Sequence, residues 1–505
     1  MNKTAILLTA ALLCAALAES RAADGNSVWK HSGSPASLVA DSLRQGGRFA
    51  SGASCIFGDA HPARDDDSRR GLFVQADGSR RGGQLNLAGS FEFGQDWLYG
   101  RSWSDRYYPL SGNPFDAFSE LPGDYTRQCF AFSAQGAGWI VKDRLALALG
   151  GDYMVGDLSR SRDPRSRSQI ADMSVEPALL WKINARLSLG ASLQYGYSKE
   201  KLLKLSSRAE NLDRYKYYEG LGLGEYVNSG IIGFSRRYSG NSLGGSLVLG
   251  YRTYGFEAGL WGKYKAGESE VRGETGETPG YWSQKDISSG AVLDFVGDNF
   301  RNHFILDFTV CNGRSKRYIQ EMRVVTNDQG RVESYWETLL KLPFYISGNY
   351  KAGASWSISP AGGKAIWEAG LRAGFESSSA EMLQNDSMFA FSRLALSAEG
   401  KGTLRFARGR ALELSGSAGA VIPLGVENQE DPRLIKDGKT LLLDNVLRPD
   451  AVLLGRRAMT LDLGAEYRFI MSGKLLGLAL ENTQFHTFSD SGSRINLTAA
   501  IKLYY

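Results

Sequence analysis

Four arginines fall within eight residues in the stretch SRSRDPRSRS: Arg160, Arg162, Arg165 and Arg167, set around Asp163-Pro164. Guanidinium groups are permanently charged planar forks that match phosphate oxygens. The stretch is therefore a candidate anion-binding loop, for phosphates of lipopolysaccharide or another anionic ligand. The competing reading is a solvated turn in which Asp163 pairs with a neighbouring arginine and Pro164 fixes the backbone, the commoner fate of exposed charge runs. A second candidate is DWLYGRSWSDRYYPLSGNPF, where Trp97, Tyr99, Trp103, Tyr107, Tyr108 and Phe115 stand beside Asp and Arg. Such rings can stack on sugars or fold inward as a loop; otherwise they form an aromatic belt at a membrane rim and pack on one another.

Other reactive residues group less well. Asp65 to Asp67, and Glu427, Glu430 and Asp431, lack the regular ligand spacing and turn glycine of a calcium loop, so solvated loops are expected and no metal. The four histidines are His31, His61, His303 and His486; His61 lies near Asp59 and Asp65, and His486 near Asp490 and Ser491. A hydrolase needs a base, a nucleophile or activated water, and an orienting carboxylate to converge. No GxSxG, HExxH, phosphate-binding or dinucleotide motif accompanies them. Catalytic residues and cofactors are not expected. Cys55, Cys129 and Cys311 are too scattered for a disulfide framework or a CxxC site.

The elements that carry these residues share one period. QLNLAGSFEF places Leu85, Leu87, Phe91 and Phe93 opposite Gln84, Asn86, Ser90 and Glu92. MTLDLGAEYRFI sets Met459, Leu461, Leu463, Tyr467 and Phe469 against Asp462, Glu466 and Arg468, and the closing SRINLTAAIKLYY alternates likewise. Charge at every second position would ruin a sandwich core. A barrel with a wet interior accepts it, lipid covering the apolar face. On this reading Arg144, Asp152, Glu176, Lys182, Glu466 and Arg468 are candidate lumen-facing residues that would set solute selectivity.

Connections alternate between short turns and long polar or aromatic stretches, the outer-membrane pattern. Pairing the segments predicts an all-β, transmembrane antiparallel β-barrel of about 18 strands, from 48–57 to 494–505. The weakest segments are 48–57 and 70–78, so 16 strands is the fallback. An even number puts both termini in the periplasm. Long extracellular loops are expected at 95–124, 200–240, 316–342 and 423–454. The 316–342 loop reads as a hairpin around Asn327-Asp328-Gln329-Gly330 that extends the wall beyond the membrane.

The first residues, MNKTAILLTAALLCAALAESRAADG, have the charged start, short apolar run and small residues of a cleaved signal peptide, 1–23. Residues 24–46 would be a short periplasmic segment and 47–505 the barrel, in the cell outer membrane. The 505 residues include 60 Gly, 23 Tyr, 23 Phe and 10 Trp, which suits many strands and turns. The net charge of +5 gives no support for nucleic-acid binding.

The motifs NSVWKHSGSPASL, SRDPRSRSQIAD and RRYSGNSLGG resemble those of uncharacterised outer-membrane β-barrel proteins of Bacteroidetes, families of the domain-of-unknown-function kind. The resemblance spans the mature chain. It implies the barrel and the outer membrane, and association with TonB-linked uptake of nutrients or metals; it supplies no substrate and no catalytic residue.

A lumen of 16–18 strands is wide enough for solutes, so the leading expectation is a channel or uptake component for a small solute. Residues 24–46 are too few for the plug domain of a TonB-dependent receptor, but a short helix around Leu38 and Leu43 would partly block the channel. The alternative is a non-conducting docking or assembly barrel whose loops bind a surface lipoprotein or TonB-dependent receptor. A loop-borne hydrolase comes third. Outer-membrane lipid and lipopolysaccharide are the expected surroundings.

Overall fold

The computed structural model describes residues 27–505 except 42–44, 110–111, 204–214, 219–222, 224–225, 229–234, 274, 327, 329, 362–365, 386 and 489–491. Residues 1–23, read above as a signal peptide, and Leu43 lie outside the described residues.

Alternation along the chain produces one continuous antiparallel sheet of 18 strands, from Gly46–Phe57 to Ser493–Tyr504. The first strand pairs with the second through Gly46↔Ser79 to Phe57↔Ser68, and with the last through Arg48↔Tyr504 to Phe57↔Ile495. That second pairing closes the barrel and leaves the sheet no free edge at its seam. Every strand of the predicted set is present, including both weak ones.

At one end neighbouring strands are joined by tight turns. Gly255 and Gly473, both at φ 75°, supply the left-handed residue that such turns need. Both ends of the barrel wall, Gly46 and Tyr505, meet there, with the Gly47 N–H donating to the Tyr505 carbonyl at 2.7 Å. At the other end, the loop end, the connections are long.

The outward face is oily. Leu193 is 67% exposed, and Leu243 and Leu480 are each 64% exposed. In water this surface would be an aggregation hazard; in a bilayer it is the solvated face. Near the turn end the aromatic rings run in a contiguous series from strand to strand. Tyr251 and Phe256 have centroids 6.3 Å apart, Phe256 and Phe295 5.0 Å, Phe295 and Phe304 6.3 Å, and Phe304 and Trp356 6.4 Å. Rings at this level anchor a barrel at the membrane interface. No helix among the described residues is long and apolar enough to cross a membrane. The chain is an outer-membrane β-barrel.

The loops hold more structure than their composition suggests. Loop 423–454 contains helices Pro432–Lys436 and Arg448–Leu454 with a π-helical turn Leu443–Leu447 between them. Asp431 caps the first by accepting from the Arg433 amide at 2.9 Å, and Pro432 occupies the first turn, where its missing N–H costs nothing. Short strands Asp116–Ser119, Tyr215–Tyr218 and Tyr226–Asn228 form a separate sheet inside the long loops. Strands Phe300–Thr326 and Val332–Pro360 continue past their neighbours as a two-stranded ribbon, as the hairpin signal predicts.

Candidate functional site

The lumen is the candidate site, and loops and an N-terminal segment occupy its two ends. At the loop end, segment 102–119 folds inward. Phe115 and Phe118, both wholly buried, join Phe344, Phe389, Phe391, Val446 and Leu447 in a dry core that caps the mouth. Phe115 stacks on Phe344 at 5.9 Å. Within this cap lies Arg64, also wholly buried, whose charge acts on Asp116 and Asp450. Burial pushes both carboxyls up to about 6, against the opposing pull of Arg64 and, for Asp116, Arg106. Asp450 also accepts from the Ala63 amide at 2.9 Å.

The inward loop is tied to the wall by polar groups. Arg106 pairs with Glu200 at 2.7 Å, both side chains nearly buried, and lies 4.0 Å above the Tyr238 ring. Glu200 also accepts from the Tyr107 amide and the Ser168 hydroxyl, both at 2.7 Å. The Tyr108 hydroxyl donates to Asp172 at 2.8 Å. Burial, reinforced by Asp172, moves the Tyr108 phenol well above its usual range.

At the turn end, residues 27–41 lie inside the barrel as two short helices, Val28–Ser32 and Ser37–Ala40. Ser27 caps the first, and Gly33 ends it in the left-handed region at φ 63°. Val28, Trp29, Ala36, Leu38 and Val39 pack on inward alanines 137, 146, 148 and 178, and on Leu180, Val248 and Val292. Two wall glycines make the seat: a Cβ on Gly259 would come within 2.2 Å of Val28, and one on Gly190 within 2.5 Å of Trp29. Polar ties are few. Ser27 donates to Asp41 at 2.8 Å, Asn86 to the Leu38 carbonyl at 2.6 Å, and Arg252 reaches Asp41 at 3.3 Å. His31 stacks on His303 of the wall with centroids 5.8 Å apart. Burial lowers the His31 pKa, and Lys30 lowers it further.

Opposite this plug the inner wall is wet and charged. Arg372 is 53% exposed and Lys401 39%, beside Glu399 and Glu413. Glu466 takes Lys502 at 2.7 Å and Arg468 at 2.7 Å, and Arg468 continues to Glu413 at 3.0 Å. Between cap and plug lies a cavity of about 630 Å³, lined by Glu92, Asp152, Asp172, Tyr238, Lys265 and Asp286 among others.

The candidate residues of the sequence fall out as follows. Asp152 and Glu176 face the lumen, accepting from Ser174 at 3.0 Å and Ser192 at 2.6 Å. Lys182 lies 4.8 Å from the Trp139 ring, and Glu466 and Arg468 belong to the charged wall. Arg144 is instead an exposed residue of the turn 142–144, because the strand begins only at Leu145.

The arginine cluster is dispersed, contrary to an anion grip. Arg160 is buried and donates to the Leu121 carbonyl at 2.7 Å and the Tyr125 hydroxyl at 3.3 Å. Arg167 pairs with Asp157 at 2.7 Å, while Arg162 sits 3.8 Å from Asp124 and is 74% exposed. Asp163 is partly buried and Arg165 exposed. The split follows from position: Arg160 ends the strand Leu145–Arg160, Arg162 and Arg165 lie in the turn, and Arg167 opens the next strand opposite Ser159, so its side chain takes the other face from that of Arg160.

The aromatic candidates divide too. Trp97 is exposed on the strand Leu85–Arg101, and the Tyr99 ring meets Arg70 at 5.8 Å. Trp103 packs on Phe118 in the cap at 5.7 Å, and Tyr107 and Tyr108 enter the lumen, edge to face at 5.1 Å. His61 contacts the Pro62 carbonyl at 3.0 Å and Asp67 at 3.5 Å; Asp490 and Ser491 lie outside the described residues. Arg64, Arg106, Glu200 and Asp450 escape sequence reading because they lie in separate loops and strand ends, and no spacing in the sequence signals that they meet.

A family model described as "Family of unknown function (DUF6850)" matches residues 35–505. No curated protein matches the chain. Among solved structures, the chain is similar to BauA, the ferric preacinetobactin receptor from Acinetobacter baumannii, at 8% identity and TM-score 0.39, over 91% of this chain and 80% of that one. It is similar to the copper transporter OprC at 10% identity and TM-score 0.39, over 92% and 81%. The RagAB peptide importer in its closed-closed state gives 6% identity and TM-score 0.39, over 92% and 87%.

Proposed function

The chain belongs to the DUF6850 family, and from that premise we propose that it is a gated outer-membrane uptake barrel for a small solute. Both termini are then periplasmic, the capped loop end faces outward, and outer-membrane lipid and lipopolysaccharide surround the wall. One observation carries this reading. Residues 27–41 occupy a recess floored by Gly190 and Gly259 inside a lumen whose other wall is wet and charged. A segment that lies outside the wall's strand ladder, seated by apolar packing with few polar ties, can leave its seat without breaking the ladder that holds the barrel. Asp152, Glu176, Lys182, Glu466 and Arg468 then meet the passing solute.

Planar-bilayer recording in an Arg64→Ala background, whose cap is loosened, tests this on chains with and without residues 27–41. The chain that keeps them should show small, infrequent openings and the one that lacks them a several-fold larger conductance. Equal, near-zero conductance of both would reject uptake through the lumen.

A second reading rests on the ribbon formed by the ends of strands Phe300–Thr326 and Val332–Pro360. Met322, Val324, Val332 and Leu339 are each more than half exposed there. Among the described residues, its strand edges have no backbone partner outside the ribbon beyond Tyr318 and before Phe344, so another chain could add to them. Under this reading the protein is a non-conducting barrel that docks a surface lipoprotein or a TonB-dependent receptor. A silent barrel that loses a co-purifying partner on removal of 318–343 would favour it.

A further inference from the structure

The cavity between cap and plug has a chemical bias. Glu92, Asp152, Asp172 and Asp286 line it, and none has an arginine or lysine within ion-pair distance among the described residues. Their recorded partners are neutral: Ser174 on Asp152 at 3.0 Å, Ser198 and the Tyr108 hydroxyl on Asp172, and the Gln284 amide on Asp286 at 2.8 Å. Of the cavity's two cations, Arg106 is already paired with Glu200, which leaves Lys265 alone against these four carboxylates and Glu268.

A second, independent feature points to a ligand. Tyr238 is 3% exposed and lines the same cavity, and its hydroxyl has no hydrogen-bond partner. A buried, unsatisfied hydroxyl is destabilising, and a ligand oxygen would relieve it. The remaining lining is rich in hydroxyls, Ser133, Ser174 and Ser242 among them, with Trp282 as an aromatic face. The cavity volume is in the range of sites for drug-sized molecules.

We infer that this chamber binds a small hydroxylated organic cation, its charge held by the four carboxylates and its hydroxyls by Tyr238 and the serines. The inference rests on the reading of the lumen as the solute path. It names what that path selects, and its test reads binding instead of passage.

Three linear polyols of similar size separate charge from hydroxyl content: N-methylglucamine is cationic, sorbitol neutral and gluconate anionic. Titration calorimetry on the full chain in detergent at neutral pH should give binding of N-methylglucamine at least about tenfold tighter than sorbitol, with gluconate weaker still. Asp152→Asn with Asp172→Asn keeps the hydrogen-bond shapes and should lose about tenfold for the cation alone. Tyr238→Phe should weaken cation and neutral polyol alike, by a few-fold.

If the double variant does not form a heat-modifiable barrel, Glu92→Gln with Asp286→Asn carries the same test. Equal binding of all three polyols, binding of none, or cation affinity unchanged in a folded carboxylate variant would overturn the inference. A barrel that conducts but shows no cation preference would refute this inference and leave the uptake reading standing. A silent barrel that prefers the cation would do the reverse.

Discussion

At the loop end, residues from many loops close the lumen with a dry core around Arg64, in which Phe115, Phe118, Val446 and Leu447 are fully hidden. At the turn end, residues 27–41 close only part of it, with five main apolar side chains and few polar ties. The cap is thus built like a protein interior and the plug like a bound peptide. A lumen with one strong and one weak closure can open from the weak side while its loop end keeps its shape. The two closures also differ in their titrating groups, carboxyls in the cap and an imidazole in the plug, so acid should act on them in opposite directions.

The largest effect should come from attacking the cap. Arg64→Ala leaves Asp116 and Asp450 buried without their shared cation, a loss of about 3–5 kcal/mol. Limited proteolysis should then cut loop 423–454 far faster, with the barrel still heat-modifiable. Unchanged cleavage would show that the cap does not depend on its buried charge.

Next comes the plug. Gly259→Ala puts a methyl group where Val28 sits, an overpacking cost of about 1–3 kcal/mol. It should raise channel opening by one to two orders of magnitude, and Val28→Ala in the same chain should restore the closed behaviour. Failure of that rescue would mean the seat is not what holds the plug.

Acid sharpens the contrast. Asp116 and Asp450 have folded values of about 6, above their ordinary 3.8. Their protonation therefore favours the folded cap, fully below about pH 4, and this support is lost as pH rises through 6. His31 is shifted the other way by burial and Lys30, with His303, Asp307 and Asp41 facing it. Its neutral form favours the seated plug above pH 6.5, and that support is lost as pH falls below it. Once the pH dependence of intrinsic exchange is divided out, hydrogen exchange at pH 7.5 and pH 5 should show greater protection in 432–454 and lesser protection in 28–40 at the lower pH. Movement in the same direction would break the proposed contrast.

The smallest effect belongs to the arginine loop. Arg162→Ala with Arg165→Ala removes two exposed groups and should change stability by no more than about 0.5 kcal/mol and leave conductance unchanged. Arg160→Ala, by contrast, strips donors from Tyr125 and Leu121 and should loosen the cap measurably in the proteolysis assay.

The barrel was legible because a strand between lipid and water must write both environments into every second residue. Leu193 and Ser192, or Leu463 and Asp462, declare their sides without any tertiary context. Strand ends and loops obey no such rule, which is why Arg160 and Arg167 look alike in sequence and end on opposite sides of the wall. The helices of 432–454 show a further cause. Leu442, Leu443, Val446 and Leu447 look like an ordinary loop's apolar scatter until Phe389 and Phe391 are brought over them. Gly190 and Gly259 read as unremarkable barrel glycines, because the side chains they make room for are distant in sequence.

The plug's position also bears on the order of assembly. Every wall contact described for residues 27–41 falls between Asn86 and Asp307. A half-formed, curved sheet that ends with that stretch already offers the segment its full cradle. The remaining strands can then wrap around an occupied trough, so the segment need not be threaded into a finished cylinder.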